Sequence, residues 1–226
     1  MPRILIADDH PLFRLALAQA VRSLIADAVV DEAGGFEAAR EALKAQPDTD
    51  LVLLDLHMPG SHGLVGLVAL RSEFPAVAVV MISANDDPQV IRRALTYGAA
   101  GFVPKRTGLD ELAGTLRAVL ACETPQLPVP DLPDAPAQAG DRELAARLGS
   151  LSPQQLRVLG LVAEGLLNKQ IADRLAIQER TVKAHMSAVF ERLGVRTRTQ
   201  ASLLLRSLEI ADPARFVADE DEPSTH

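Results

Sequence analysis

Short apolar runs alternate with amphipathic stretches along residues 1–121. The runs are rich in Val, Ile and Leu and fall at 4–7, 28–30, 51–54, 77–82 and 101–103. Such runs are typical of strands that are buried on both faces of a parallel sheet. Helical patterns separate them near 11–26, 36–46, 62–73, 88–97 and 108–121. Five strands alternating with five helices predict an α/β domain with a doubly wound, five-stranded parallel sheet.

The composition changes after residue 121. Five of the chain's 15 prolines fall between residues 122 and 140, with Ala, Gln and Asp among them. This segment lacks the apolar residues of a core, so it predicts a semi-rigid, partly extended linker. We place the linker at 122–148.

Residues 149–211 predict a small all-α domain of four helices. The sequence Ser152-Pro153-Gln154-Gln155 is a capping box and starts the first helix. The others are expected near 169–175, 179–193 and 199–208, with Asn168 as the cap of the second helix and Gly194 as the end of the third. Residues 212–226 are polar and acidic and are expected to be disordered.

Cysteine content and charge restrict the possible functions. The single cysteine, Cys122, excludes an internal disulfide and a Cys-based zinc site. We found no secretory signal and no apolar run of membrane-spanning length, so we expect a cytoplasmic protein without a membrane partner. The formal net charge is −7, yet residues 151–211 alone are net positive, at +4. That segment is where a polyanion would bind.

Acidic residues follow the predicted strands. Asp8 and Asp9 come after the first strand, Asp55 ends the third, Ser83 ends the fourth and Lys105 follows the fifth. Because function in doubly wound sheets gathers at the carboxyl ends of the strands, these five residues should meet at one edge. Three neighbouring carboxylates repel unless a cation joins them, and Mg²⁺ with oxygen ligands is the natural solution. Lys105 and Ser83 beside them suit an incoming phosphoryl group.

Four motifs together resemble the receiver domain of two-component response regulators. They are ILIADDH at 4–10, LLDLHMPG at 53–60, MISA at 81–84 and GFVPK at 101–105. The resemblance covers residues 1–121 and implies a flavodoxin-like fold with Asp55 as the phosphoacceptor. By the same resemblance Asp8, Asp9, Asp55 and the His57 carbonyl hold Mg²⁺, Ser83 and Lys105 bind the phosphoryl oxygens, and Phe102 is an aromatic switch.

An enzymatic alternative is an aspartyl-phosphate phosphohydrolase of the haloacid-dehalogenase type. Such enzymes need a second Asp two residues after the nucleophile, where this chain has His57. The sequence therefore favours a phosphoacceptor switch with slow self-dephosphorylation over an enzyme. A further alternative is a DNA-binding regulator controlled by protein contacts without phosphorylation.

The third helix of the second domain has an apolar stripe opposite a face whose side chains are mostly short or basic. This face suits the major groove, and the short preceding helix completes a helix-turn-helix. The domain resembles LuxR-type helix-turn-helix domains through LSPQQ at 151–155, NKQIA at 168–172, TVKAH at 181–185, LGV at 193–195 and RTQA at 198–201. The resemblance implies that bases face Lys183, Ala184 and Ser187, and that Lys169, Thr181, His185 and Arg198 lie near the DNA backbone.

The two resemblances together point to the NarL/FixJ class of response regulators. They imply a histidine kinase as phosphodonor, double-stranded DNA as ligand and a homodimer in the phosphorylated state. The apolar stripe of the last helix, Ala201, Leu204, Leu205 and Leu208, is the expected dimer contact. The opposite charges of the two domains further predict that the resting receiver docks on the basic domain and covers Lys183.

Overall fold

The computed structural model describes residues 1–61, 63–125 and 136–208. The predicted disordered tail at 212–226 and residues 126–135 of the linker lie outside these ranges. In the described ranges, none of the helices combines the length and apolar character needed to cross a bilayer.

The first domain is built on a sheet of five parallel strands in the order β2-β1-β3-β4-β5. The strands are β1 (Arg3–Ala7), β2 (Val29–Ala33), β3 (Leu51–Asp55), β4 (Ala78–Ser83) and β5 (Gly101–Pro104). Every residue of β3 is buried, as expected of a central strand covered on both faces. The predicted doubly wound architecture is confirmed.

Helices cover both faces of this sheet. They are α1 (Pro11–Leu24), α2 (Phe36–Ala45), α3 (Leu64–Glu73), α4 (Pro88–Thr96) and α5 (Leu109–Leu120). One hydrophobic cluster lies under α1 and α5, and a second lies under α2, α3 and α4. Because all the strands are parallel, their carboxyl ends and the loops that follow them lie at the same edge of the sheet.

The linker contains a helix that the composition did not predict. Helix α6 (Pro136–Gly149) occupies the second half of the expected extended linker, so that prediction is wrong for residues 136–148. The helix ends with the buried Leu148, which joins the cluster under α3 and α4. Proline at the first helical position is compatible with a helix, which is why proline content alone was misleading here.

The second domain consists of four helices, as predicted. They are α7 (Pro153–Ala163), α8 (Asn168–Leu175), α9 (Glu179–Leu193) and α10 (Arg198–Arg206). The Ser152 capping box is present, and Gly194 ends α9 with a positive φ of 69°. Asn168 is not the cap of α8 but its first residue, and the Gln170 side chain accepts the Leu167 amide instead.

Helices α3 and α4 of the first domain pack against α6 of the linker, and α3 also packs against α7 of the second domain. Leu148, Leu151 and Leu208 are buried in the same hydrophobic cluster as Leu64 of α3. The elements that follow β3 and β4 therefore carry the second domain.

Gly66 in α3 tests how closely the chain is packed beneath this contact. A Cβ at Gly66 would lie 2.5 Å from the Ser61 carbonyl oxygen and 3.1 Å from Phe36 Cε2, whereas Gly114 in α5 has open space. We expect Gly66→Ala to lower the free energy of unfolding by about 1 to 3 kcal/mol. The matched Gly114→Ala should raise it by about 0.5 to 1 kcal/mol. Urea unfolding followed by circular dichroism measures both, and equal effects would contradict the packing described.

Candidate functional site

The carboxyl edge of the sheet holds a compact group of charges. Asp8 follows β1, Asp55 ends β3, and the side chains of both are only 1% exposed. Lys105, just after β5, places Nζ 2.8 Å from Asp8 Oδ2 and 3.0 Å from Asp55 Oδ2. The topology thus brings these residues together from three separate loops.

Ser83 and Phe102 lie on the neighbouring strands. Ser83 is fully buried at the end of β4; its Oγ accepts the Asn85 amide at 3.0 Å, and its carbonyl accepts the Lys105 amide at 2.7 Å. Phe102 in β5 is buried beside Met81 and belongs to the hydrophobic cluster that includes α4. Its ring thus lies inward in this structure, and its role as a switch stays a prediction.

The pocket has the donor set of a cation site. Ligand-capable atoms of Asp8, Asp9, His10 and Asp55 all lie within 4.8 Å of one another. Among the described residues, the buried atoms Asp8 Oδ2 and Asp9 Oδ1 accept no hydrogen bond. Lys105 Nζ and His10 Nδ1 are near these oxygens, at 2.8 and 2.9 Å, so the distances are short but the directions are poor. Oxygen atoms with unused lone pairs fit a hard divalent cation.

The turn after β3 shapes the Asp55 side of the pocket. The His57 amide donates to Asp55 Oδ1 at 3.3 Å, which holds the carboxylate toward the loop. The predicted metal contact of the His57 carbonyl is a separate matter and stays a prediction.

Three residues of the first turn of α1 and its approach also border the pocket. The Arg14 guanidinium donates to the Asp8 carbonyl at 2.6 Å, and Lys105 Nζ lies 4.7 Å from the centre of the Phe13 ring. The His10 amide donates to Asp8 Oδ1 at 2.7 Å. Sequence reasoning did not assign roles to Phe13 and Arg14. The sequence did contain a signal for them: α1 begins just after the acidic pair Asp8-Asp9, so its first turn must lie at the same edge of the sheet.

Burial and charge act in opposite directions in this pocket. Burial raises the pKa of Asp55, and although Lys105 counteracts it through charge and a hydrogen bond, the net direction is upward. Burial lowers the pKa of Lys105, but the neighbouring carboxylates of Asp8 and Asp55 outweigh it, so this pKa is raised. Lys105 is therefore an ammonium at neutral pH, and the pocket disfavours the charged form of Asp55.

The predicted DNA-contacting face of α9 is exposed. Lys183, Ala184 and Ser187 lie on the outer side, opposite the buried Val182 and Met186. The side chain of Lys183 is 64% exposed and forms an ion pair with Glu179 at 2.9 Å. The prediction that the first domain covers Lys183 is therefore wrong for this arrangement, because the first domain contacts α6 and α7 instead. Lys169 at the start of α8 is exposed as well.

The remaining predicted DNA contacts are less accessible. Thr181 and His185 are half-buried on the flanks of α9. The Arg198 guanidinium donates to the Leu166 carbonyl and to Asn168 Oδ1, and so ties α10 to the turn before α8. The structure gives Arg198 a positioning role within the domain, and its contact with DNA stays a prediction.

Each of the two domains matches a known protein family. Residues 4–117 match the response regulator receiver domain, and residues 149–205 match the bacterial regulatory proteins of the luxR family. The chain is 40% identical over 210 residues to a glycerol metabolism activator of Pseudomonas putida, covering 90% of this chain and 94% of that protein. It is 33% identical over 208 residues to the nitrate/nitrite response regulator protein NarL of Escherichia coli, covering 88% and 93%.

The chain belongs to the response regulators. It carries the receiver domain together with the LuxR-type DNA-binding domain. Its fold is similar to a solved RcsB–DNA complex, with a TM-score of 0.52 at 24% identity over 92% of this chain and 99% of that one.

The predicted dimer stripe of this response regulator is largely used within the protomer. Ala201, Leu205 and Leu208 are buried, and only Leu204 is partly accessible. The contact partners of α10 include α7 of its own domain. Dimerisation through this stripe stays a prediction, and it requires part of the stripe to be uncovered.

Replacement of Asp55 should stabilise this protein. We expect Asp55→Asn, without Mg²⁺ at neutral pH, to raise the thermal midpoint by about 2 to 4 °C, which corresponds to about 1 kcal/mol in a chain of this size. The variant removes a buried carboxylate of raised pKa while Lys105 keeps Asp8 as a partner.

The stability gained by Asp55→Asn should depend on pH, and the raised pKa of Asp55 fixes the direction of this dependence. A raised folded-state pKa favours folding of the wild type only at low pH, so the gain should vanish as the pH falls below the ordinary Asp value of 3.8. Asp48→Asn, whose side chain is 69% exposed, is the control. An unchanged or lower midpoint for Asp55→Asn at neutral pH would contradict the electrostatics described.

Proposed function

We propose that Asp55 accepts a phosphoryl group from the phosphohistidine of a histidine kinase. A carboxylate oxygen of Asp55 attacks phosphorus, the O–P bond forms, and the P–N bond to the donor imidazole breaks. The imidazole leaves with its electron pair and takes up a proton. Attack of water on the aspartyl phosphate then releases inorganic phosphate and restores the carboxylate. The protein is thus a switch that is reset by hydrolysis.

The observation that carries this proposal is the Lys105 ammonium between two buried carboxylates. A phosphoryl group on Asp55 would place new negative charge beside Lys105 Nζ, which now lies 3.0 Å from Asp55 Oδ2. The Ser83 hydroxyl, buried at the end of the adjacent strand, is a second donor for that group. Mg²⁺, held by Asp8, Asp9, Asp55 and the His57 carbonyl, would neutralise charge on the transferring phosphoryl group.

The proposed role is regulatory rather than enzymatic. The position two residues after Asp55 is His57, so the general-acid carboxylate of an aspartyl phosphohydrolase is missing from this loop. Burial of the charges of Asp8, Asp55 and Lys105 carries a considerable desolvation cost. Regulation by protein contact alone would not use these charges and does not explain why they are buried. We place the protein in the cytoplasm, where DNA and a kinase's phosphodonor domain are both accessible.

Mass spectrometry of the intact protein tests the acceptor. Incubation with Mg²⁺ and acetyl phosphate should add one phosphoryl group to the wild type and to Asp48→Asn, and none to Asp55→Asn. Omission of Mg²⁺ should slow the addition strongly, because the carboxylates then repel the donor. Addition to Asp55→Asn at the wild-type rate would contradict the assignment, and release of many equivalents of phosphate per protein would favour a phosphohydrolase.

We further propose that α9 enters the DNA major groove and that phosphorylation of Asp55 controls this binding and hence transcription. The side chains on the exposed face of α9 are mostly short or basic, and the segment that contains α9 is the net-positive part of the chain. Lys183, Ala184 and Ser187 would face base edges. Lys169, Thr181, His185 and Arg198 would lie near the phosphates, with Arg198 acting from its position against the α8 turn.

A binding series separates base contacts from phosphate contacts. A duplex selected from a random pool with phosphorylated wild type serves as the specific site. Lys183→Ala should reduce the preference for this duplex over random DNA by about tenfold, or roughly 1.4 kcal/mol. Lys169→Ala should weaken binding to both duplexes alike and reduce the salt slope by about 1.

Lys44→Ala, an exposed lysine on α2 of the receiver, is the matched control and should leave both quantities unchanged. If Lys183→Ala retained full preference for the selected duplex, α9 would not be the element that recognises sequence.

A further inference from the structure

The imidazole of His10 lies on the solvent side of the acidic pocket, and the proposed function gives it no role. Its Nδ1 atom is 2.9 Å from Asp9 Oδ1, 3.3 Å from Asp8 Oδ1 and 4.0 Å from Asp55 Oδ2. The His10 side chain is 61% exposed, whereas those of Asp8 and Asp55 are only 1% exposed. His10 therefore brings a nitrogen atom to the place where three carboxylates meet.

The backbone holds His10 at this position. The His10 amide donates to Asp8 Oδ1 at 2.7 Å. The His10 carbonyl accepts the Arg14 amide at 2.9 Å, in the first turn of α1. Because both sides of this residue are fixed by hydrogen bonds, only rotation of the side chain is left to place the imidazole nitrogen.

The spacing of the donor atoms fits a small transition-metal ion. Imidazole nitrogen and carboxylate oxygen bind Zn²⁺ at about 2.0 to 2.2 Å, which places the donors of a tetrahedral ion about 3.4 Å apart. The three distances from His10 Nδ1 lie on both sides of this value, between 2.9 and 4.0 Å. Small rotations of the side chains therefore suffice to bring the donors into a tetrahedral arrangement.

Two buried oxygen atoms are available to such an ion. Asp8 Oδ2 and Asp9 Oδ1 are buried and accept no hydrogen bond from any residue that the structure describes. Oxygen ligands alone suit Mg²⁺, which keeps several of its waters. An imidazole nitrogen beside them favours Zn²⁺, Co²⁺ and similar ions, for which nitrogen is a preferred ligand. The position of His10 thus bears on which metal the pocket selects.

We propose that the pocket also binds a transition-metal ion of the Zn²⁺ class, with His10 Nδ1 as the ligand that selects it. The carboxylates of Asp8, Asp9 and Asp55 complete the ligand set, since all four groups offer an atom within 4.8 Å of every other. Four protein ligands close the tetrahedral shell of Zn²⁺ and leave no position for a phosphoryl oxygen.

A closed zinc site has a consequence for phosphorylation. Asp55 becomes a metal ligand, so its oxygen atom is not free to attack phosphorus. Mg²⁺ leaves this attack possible, because its remaining positions are filled by exchangeable water. The block of phosphorylation rests on the proposed function, whereas the metal site itself does not.

Titration calorimetry of the full chain with ZnCl₂ and, separately, with MgCl₂ tests His10 as a ligand. Every protein carries Cys122→Ser, because the exposed thiol can bind Zn²⁺ itself. His10→Gln should weaken Zn²⁺ binding by at least about tenfold and change Mg²⁺ binding by less than about twofold. Asp48→Asn is the control, since it removes an exposed carboxylate before β3, and it should change neither affinity.

Cobalt gives a spectroscopic readout of the same ligand set. Four-coordinate Co²⁺ absorbs visible light far more strongly than octahedral, hydrated Co²⁺. Addition of CoCl₂ to the Cys122→Ser protein should produce the strong absorption, and His10→Gln should lose it while circular dichroism shows an intact fold. Equal Zn²⁺ affinity with and without His10, an equal loss of Zn²⁺ and Mg²⁺ affinity, or weak absorption in both proteins would overturn the assignment of His10.

Mass spectrometry of the intact protein tests the consequence. In the presence of Mg²⁺ and acetyl phosphate, an equimolar amount of Zn²⁺ should slow phosphoryl addition to the Cys122→Ser protein by at least about tenfold relative to the same protein without Zn²⁺. The same comparison for His10→Gln should show a much smaller effect. Undiminished addition to Zn²⁺-saturated protein would overturn the block. Absence of addition even without Zn²⁺ would overturn both the block and the proposed function, whereas calorimetry and the cobalt spectra alone decide the metal site.

Discussion

One ammonium group, that of Lys105, compensates two carboxylates that the fold has buried. The parallel sheet brings Asp8 and Asp55 to one edge within the core, where neither is solvated well enough to be stable alone. Lys105 comes from a third strand end and places its ammonium within 3.0 Å of an oxygen of each. The raised pKa of Asp55 shows that the compensation is incomplete. A pocket with incompletely compensated charges is stabilised by any ligand that brings a cation to the carboxylates or an anion to the lysine. Mg²⁺ together with a phosphoryl group would bring both.

The same edge determines where the second domain is attached. Helices α3 and α4 follow Asp55 and Ser83 after one loop each, and they are the receiver helices that contact α6 and α7. Arg93 of α4 also donates to the Ser207 carbonyl, just after α10. The interface combines a continuous hydrophobic cluster with a few directed polar contacts, among them those of Arg93 and Tyr97 with Asp141. Apolar packing gives such an interface its free energy, and the polar contacts fix its geometry. A small shift of α4 changes the polar contacts first.

Local patterns predicted most of the fold, and tertiary contacts account for the rest. The five strands and the Ser152 cap follow from short-range rules, because burial on both faces and helix capping each involve a few neighbouring residues. Helix α6 was missed because its stability comes from Leu148 packing on another element, which composition does not report. Asn168 was assigned as a cap from its residue type, whereas its side chain accepts from Arg198, thirty residues away.

The candidate site was likewise predicted in part from local patterns, and the rest of it depends on tertiary contacts. The strand-end rule located Asp8, Asp55, Ser83 and Lys105 at one edge, since parallel topology leaves no other place for them. The side chains of α1 that border the pocket could not be predicted without knowing the direction of that helix. The docking surface predicted from net charge is wrong, because apolar packing of α3 and α4 against α6 and α7 sets the arrangement. Charge summed over a domain does not identify which face is used.

Hydrogen–deuterium exchange in the presence and absence of Mg²⁺ and beryllofluoride, a phosphoryl mimic, addresses the coupling between Asp55 and α10 directly. We expect the mimic to slow exchange of amides in the loops after β3 and β4 and to accelerate exchange in α6 and α10. Both effects should be absent from Asp55→Asn. Slower exchange in the pocket loops with unchanged exchange in α6 and α10 would show that the phosphoryl site does not control the second domain through this interface.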